Sequence, residues 1–245
     1  MDTSMIIAAV VGLGAALAIM YMVLKKYTYP AVEQPFFSDP KFFGLFTVGL
    51  VAGTAIVVVY SYSDMSSIIY AIMFALVFEL AKLIVLNLKR FHGNSDTIFY
   101  GFGIGLGIGG AFSFGLVFLV LRSFENVFEG TDILILLMLF GIIAVQTVLI
   151  QSATGLTIGE GVARRRPFEF LLQALIISIS YQLLMSQVFR SMLAGSESET
   201  GMYIFLILSF VVALGYFYSM VYIKLPSNIR EVLRREGKNR KDIPK

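Results

Sequence analysis

The sequence predicts an all-α protein: a polytopic membrane helix bundle of seven transmembrane helices, N-terminus outside and C-terminus cytoplasmic. Three observations carry this reading. Hydrophobic residues make up 58% of the 245 residues and charged residues only 14%, too little charge for a soluble domain of this length. Seven apolar runs are long enough to cross a hydrocarbon core, which takes about 20 residues as a helix. They fall near 5–24, 42–60, 68–88, 98–121, 133–157, 168–188 and 202–223. The cations are also segregated. With the N-terminus outside, the inside segments 25–41, 89–97, 163–167 and 224–245 hold 16 of the 19 Lys and Arg residues. That asymmetry satisfies the positive-inside rule and supports an odd number of spans.

Each run has its own punctuation. The first is preceded by Asp2 and followed by Lys25 and Lys26, so it reads as a retained span rather than a cleavable signal. Between the first and second runs, Pro30, Pro35 and Pro40 alternate with Tyr27, Tyr29, Phe36, Phe37, Phe42 and Phe43, which reads as an interfacial loop with an aromatic belt. Asn94, Ser95 and Asp96 can cap the fourth run, and Thr131 and Asp132 the fifth. Pro167 suits the first turn of the sixth run, with Glu169 near the positive end of its dipole. Residues 1–223 thus form one membrane domain. Residues 224–245 form a basic cytoplasmic tail, in which Ser227 reads as a cap and Gly237 as a stop. In that tail Ile229, Val232 and Leu233 make a short apolar stripe among Arg230, Arg234 and Arg235, which suits either a helix lying on an anionic leaflet or a plain solvated tail.

Composition excludes several chemistries. The chain has no cysteine and one histidine, His92, so disulfides, thiolate chemistry and any metal site built on two histidines are ruled out. His92 and Asp96 can share a helical face, but beside Lys89 and Arg90 the histidine reads as a solvated loop residue. The net charge of +3 is explained by the inside anchors and needs no nucleic-acid partner. No cofactor and no metal are expected. The expected partners are the lipid bilayer of the plasma membrane and another integral membrane protein.

The fourth run is dense in glycine. Gly101, Gly105 and Gly109 are spaced by four, as are Gly103 and Gly107, a pattern that lets a second helix backbone approach closely. Gly105, Gly107 and Gly110 also spell GxGxxG. Inside a membrane span with no preceding strand, that spelling is not a nucleotide site.

The informative polar residues are Glu79 and Lys82, within the third run. Charges at such depth face a protein interior or a water-filled cavity. One reading pairs the two with each other at i, i+3, or with Gln and Ser of neighbouring helices, closing a network that fixes helix packing. The other makes them line a cavity for a peptide, lipid or ion. Polar residues on later runs bear on both readings. Thr147, Gln151 and Thr154 share one helical face, as do Ser178, Tyr181 and Gln182.

Taken in order, Phe78-Glu79-Leu80-Ala81-Lys82, Asp96 to Gly101, Gln151 to Gly159 and Ser178 to Gln182 resemble the PrsW family of intramembrane proteases. That family belongs with the CAAX prenyl endopeptidases and bacteriocin-processing enzymes. The resemblance covers about residues 68–190. Glu79 and Lys82 match the second Glu and the Lys of EExxK, and Asp96, Tyr100 and Gly101 match DxxxYG. The departures fall on the family's catalytic groups. Phe78 replaces the first Glu, and Phe112-Ser113 stands where Glu-Asn is expected. Gln151 takes the first His position, and Ser178 with Gln182 takes the place of HxxxN. Family members are thought to activate water with Glu and His; Gln and Ser cannot act as general bases near neutral pH. The resemblance therefore implies a bundle without catalytic residues, acting as a scaffold, subunit or chaperone for other membrane proteins. The scaffold subunit of gamma-secretase, assigned to the same superfamily, is a precedent by analogy. Two alternatives are an active protease using Glu79 and Asp96 in a rearranged site, and a small transporter or channel with Glu79 and Lys82 in its pathway. Glu125-Asn126 spells a displaced Glu-Asn pair but reads as outer-loop acidity.

Overall fold

The computed structural model describes residues 3–123, 133–193, 199–235 and Gly237. Seven helices are long and apolar enough to span a membrane: α1 (Thr3–Leu24), α2 (Asp39–Ser61), α3 (Ile68–Leu86), α4 (Asp96–Ser123), α5 (Ile133–Ala163), α6 (Pro167–Leu193) and α7 (Glu199–Tyr218). A π-helical segment, Ser219–Lys224, joins α7 to α8 (Leu225–Arg235), and a single 3-10 turn, Lys89–Phe91, precedes α4. All seven anticipated spans are present. Helix α5 continues beyond residue 157 to Ala163, which brings Glu160 into the helix. The proposed caps at Thr131 and Asp132, like Glu125-Asn126, lie outside the described residues.

Helix α4 sits at the centre, against α5, α2 and α1. Most of α4 and α5 is buried, whereas most of each other span is not. The outward faces are apolar: Val51, Ile69, Ile84, Leu172, Ile176 and Ile207 are all exposed. In lipid such faces are already solvated, so close packing and interhelical polar contacts must hold the bundle. Glycine supplies the packing. A Cβ on Gly101 would overlap the carbonyl oxygen of Gly155, and one on Gly105 that of Gln151. Gly109 lies on the same face, near Val148 and Gln151. On another face Gly107 meets the backbone of α2 around Phe46 and Gly49. The glycines read as packing sites thus serve two neighbours from one helix.

Three expectations are corrected. Of the six aromatics in the 27–43 stretch, Tyr27, Phe36, Phe37 and Phe42 are buried and only Tyr29 and Phe43 are exposed. Tyr27 meets Phe99 of α4 edge-on at 5.1 Å between centroids, and Phe37 lies 5.0 Å from the same ring. The loop is a plug on the bundle rather than a belt in the interface. Burial, with a smaller contribution from Tyr222, pushes the Tyr27 hydroxyl up to about 12. The tail stripe is also spoken for: Leu225, Ile229, Val232 and Leu233 are buried in the apolar core, which leaves no apolar face for a leaflet. Ser227 does not cap this helix, because the chain is already helical there; its hydroxyl donates to the Lys224 carbonyl at 2.8 Å. The π segment has a local cause. Pro226 has no N–H, and its ring crowds the carbonyl four residues earlier, so the chain widens to an i→i−5 bond from Leu225 N–H to Met220. Gly237 does mark the stop, at φ 74°.

Candidate functional site

Residues three apart on a helix share a face, so α3 presents Glu79 and Lys82 together. Both are fully buried. The Lys82 ammonium donates to Glu79 Oε1 at 2.9 Å, to Oε2 at 3.0 Å and to Thr154 Oγ1 of α5 at 2.6 Å. Those three bonds use all three ammonium hydrogens. The Thr154 hydroxyl remains free to donate to its own helix, to Ile150 O at 3.1 Å. Of the two readings of this pair, the structure has the closed one.

Helix α3 also carries part of an aromatic cluster, through Phe74 and Phe78. Phe78 packs edge-on against Phe112 of α4, with centroids 4.9 Å apart and planes at 85°. Tyr60 of α2 meets Phe112 at 5.1 Å and Phe74 at 4.6 Å. Such edge-to-face contacts each add about 0.5–1.5 kcal/mol beyond area burial. The remaining space beside Tyr60, Phe112, Thr147, Tyr181 and Gln182 is about 10 Å³, roughly one water-sized sphere.

The other motif residues fall into two places. Gln151, Ser178 and Gln182 are buried in the bundle. The Gln151 side-chain oxygen finds no hydrogen-bond partner among the described residues, which costs about 1–3 kcal/mol. Tyr181, next to Gln182, bonds Thr147 at 3.0 Å and ties α6 to α5. Ser113 donates to the Ala144 carbonyl at 3.2 Å and clasps α4 to α5. Asp96 and Tyr100 lie elsewhere, at the start of α4. The Tyr100 hydroxyl donates to Asp96 Oδ2 at 3.3 Å and accepts from the Ser38 amide at 3.3 Å. They line a cleft of about 330 Å³ together with Lys41, Arg90 and Asn94. His92 does not join Asp96; its Nε2 faces Asn87 Oδ1 at 3.0 Å.

A second charge network was not singled out by sequence. Glu160 Oε1 lies 2.8 Å from Arg164 Nε, and Arg164 Nη2 lies 2.8 Å from Glu231 Oε2 of α8. Asn228 of α8 donates to Glu160 and accepts from Arg164 at 3.1 Å. The available signal was the i, i+4 spacing of Glu160 and Arg164. Arg165 follows at φ 60°. It is the left-handed residue of a Schellman turn in which Arg166 N–H bonds Gly161 O and Arg165 N–H bonds Val162 O. Further polar ties link α5 to α7: Thr157 with Tyr216 at 2.6 Å, and Ser209 with Gln146 at 3.0 Å.

No protein-family model matches the chain, and comparison with curated proteins and with solved structures finds no match. The geometry supports a multi-pass integral membrane protein in contact with the lipid bilayer. Among its fully buried polar groups is the Glu79–Lys82 ion pair.

Proposed function

We propose that this protein is a catalytically inactive relative of the PrsW-type and CAAX-type intramembrane proteases. It serves as a scaffold, subunit or chaperone for other integral membrane proteins, in the plasma membrane with its C-terminus in the cytoplasm. One observation carries the reading. Positions 78 and 112, where the motif order calls for carboxylates, come together in space, and both are phenylalanine. A pair of carboxylates there would face each other as acid and base; the two rings instead close the space to water. The remaining candidates do not restore the chemistry. Glu79 is held by Lys82, and Gln151 and Ser178 cannot take a proton near neutral pH. Asp96 sits in a separate cleft.

Two experiments test the proposal. Purified protein is incubated with membrane-anchored and prenylated peptides; no cleavage above the Glu79→Gln background is expected. Cleavage that disappears in Glu79→Gln would establish the protease reading instead. Mild-detergent purification from native membranes should yield a second membrane protein at fixed stoichiometry. Recovery of the chain alone, at full yield and under several detergents, would count against a scaffold.

A further inference from the structure

The cleft at the start of α2 and α4 has features that the scaffold reading does not use. Its rim brings together Lys41 from the first inside segment and Arg90 from the second. Both are exposed, and neither forms an ion pair with a carboxylate among the described residues. Arg90 is held in place over the Phe91 ring at 4.7 Å. Asp96 is the one carboxylate in the lining, so two cations face one anion and the cleft carries an excess positive charge. The cleft is lined on one side by Gly44 and Val48 of α2, and further along the same helix Val51, Thr54, Ala55 and Val58 line a separate shallow groove. Gly44, Val48, Val51, Ala55 and Val58 are all exposed and follow a helical stripe spacing. At 1.5 Å per residue this stripe runs for about 20 Å, comparable to one acyl chain.

We propose that this cleft and stripe bind one anionic glycerophospholipid of the inner leaflet. The phosphodiester sits between Lys41 and Arg90, headgroup hydroxyls donate to Asp96, and an acyl chain lies along the α2 stripe. The two cations belong to the side that the positive-inside pattern assigns to the cytoplasm, where anionic lipids attract basic groups. A soluble anion would use the rim and leave the stripe unexplained. A zwitterionic lipid would leave the excess charge unanswered.

The test is native mass spectrometry of the full chain in detergent, titrated with phosphatidylglycerol or phosphatidylethanolamine, and separately with glycerol 3-phosphate as a competitor. The first adduct should form at lower concentration with phosphatidylglycerol than with phosphatidylethanolamine. Lys41→Gln and Arg90→Gln should each weaken phosphatidylglycerol binding about fivefold, and the double variant should show no preference. A Cβ at Gly44 meets nothing within 4 Å, so Gly44→Leu fills the cleft without strain; it too should weaken binding, with both cations intact. Arg234→Gln, outside the cleft, should bind as wild type. Unchanged phosphatidylglycerol binding in the double variant would overturn the proposal. So would full competition by glycerol 3-phosphate at the lipid's own concentration, because it would remove the acyl chain from the site.

Discussion

The Glu79–Lys82 pair and the Glu160–Arg164 pair begin alike, as acid and base within one helix turn, and end differently. Both partners of the first are 0% exposed, and the bonding ends at Thr154. In the second, Arg164 is 17% exposed and reaches across to Glu231, itself 45% exposed. The difference follows from the side chains. A lysine is a point charge that three acceptors saturate, so it can be sealed. An arginine fork has donors left over and bridges separate elements. The first network therefore sets how α3 and α5 sit against each other inside the bilayer. The second ties α8 to the end of α5 at the membrane margin. Two charged networks in one small bundle thus have separate tasks: one fixes packing and the other fixes a terminus.

Removing one charge of the buried pair should have the largest effect. Lys82→Met leaves Glu79 buried without a counterion and should cost about 3–5 kcal/mol, read as a large fall in thermal stability in detergent. Glu79→Leu should do the same. The double variant should recover much of the loss, because no orphan charge remains. A double variant as unstable as the sum of the singles would mean that the two are not partners.

A smaller effect sharpens the same point through the backbone. The Lys82–Thr154 bond joins α3 to α5, and α5 is in turn seated on α4 through the close approach at Gly105, where any Cβ meets the Gln151 carbonyl. Gly105→Val should cost about 1–3 kcal/mol by overpacking, while Gly141→Ala, where a Cβ meets nothing, should leave the melting curve unchanged. Equal effects at the two positions would remove the packing argument.

The margin network should respond least. Glu160→Gln keeps an acceptor for Asn228 and leaves Arg164 its second carboxylate, Glu231, so no charge is orphaned and the cost should fall below that of Lys82→Met. The expected readout is faster hydrogen exchange in α8 with little change in global melting. Raising salt should reproduce that result in the wild type, because screening acts on the open network and hardly on the sealed one. Salt sensitivity of the Lys82→Met penalty would contradict the distinction.

Much of this was legible in the chain. The spans follow from hydropathy, the α4 packing face from the spacing of Gly101, Gly105 and Gly109, and the Glu79–Lys82 pair from i, i+3 spacing at membrane depth. What sequence could not supply was the cover over each face. Ile229, Val232 and Leu233 make the same stripe whether lipid or protein lies against them, and only the fold puts them in the core. Tyr27 and Phe37 spell an interfacial belt equally well, yet they pack on Phe99. The order of Glu79, Asp96 and Gln151 along the chain does not give depth. Asp96 begins α4 and so lies at its end, far along the helix from Phe112, which packs beside Glu79's neighbour Phe78. Asn228 and Glu231 are remote in sequence from Glu160, so nothing local announced their network.

The buried, paired state of Glu79 and Lys82 requires a polar interior that water does not reach. The chain lacks cysteine, so single cysteines can be introduced without other changes. Ser178→Cys and Thr154→Cys place thiols at buried positions beside this interior, and Ser66→Cys places one on the turn between α2 and α3, where the half-buried Ser66 bonds the exposed Asp64. In intact membranes a water-soluble maleimide should label the Ser66→Cys variant fully and leave the other two unlabelled until the protein is denatured. Labelling of Ser178→Cys or Thr154→Cys in the folded protein, at a rate near that of Ser66→Cys, would contradict the account and reveal a water-filled site.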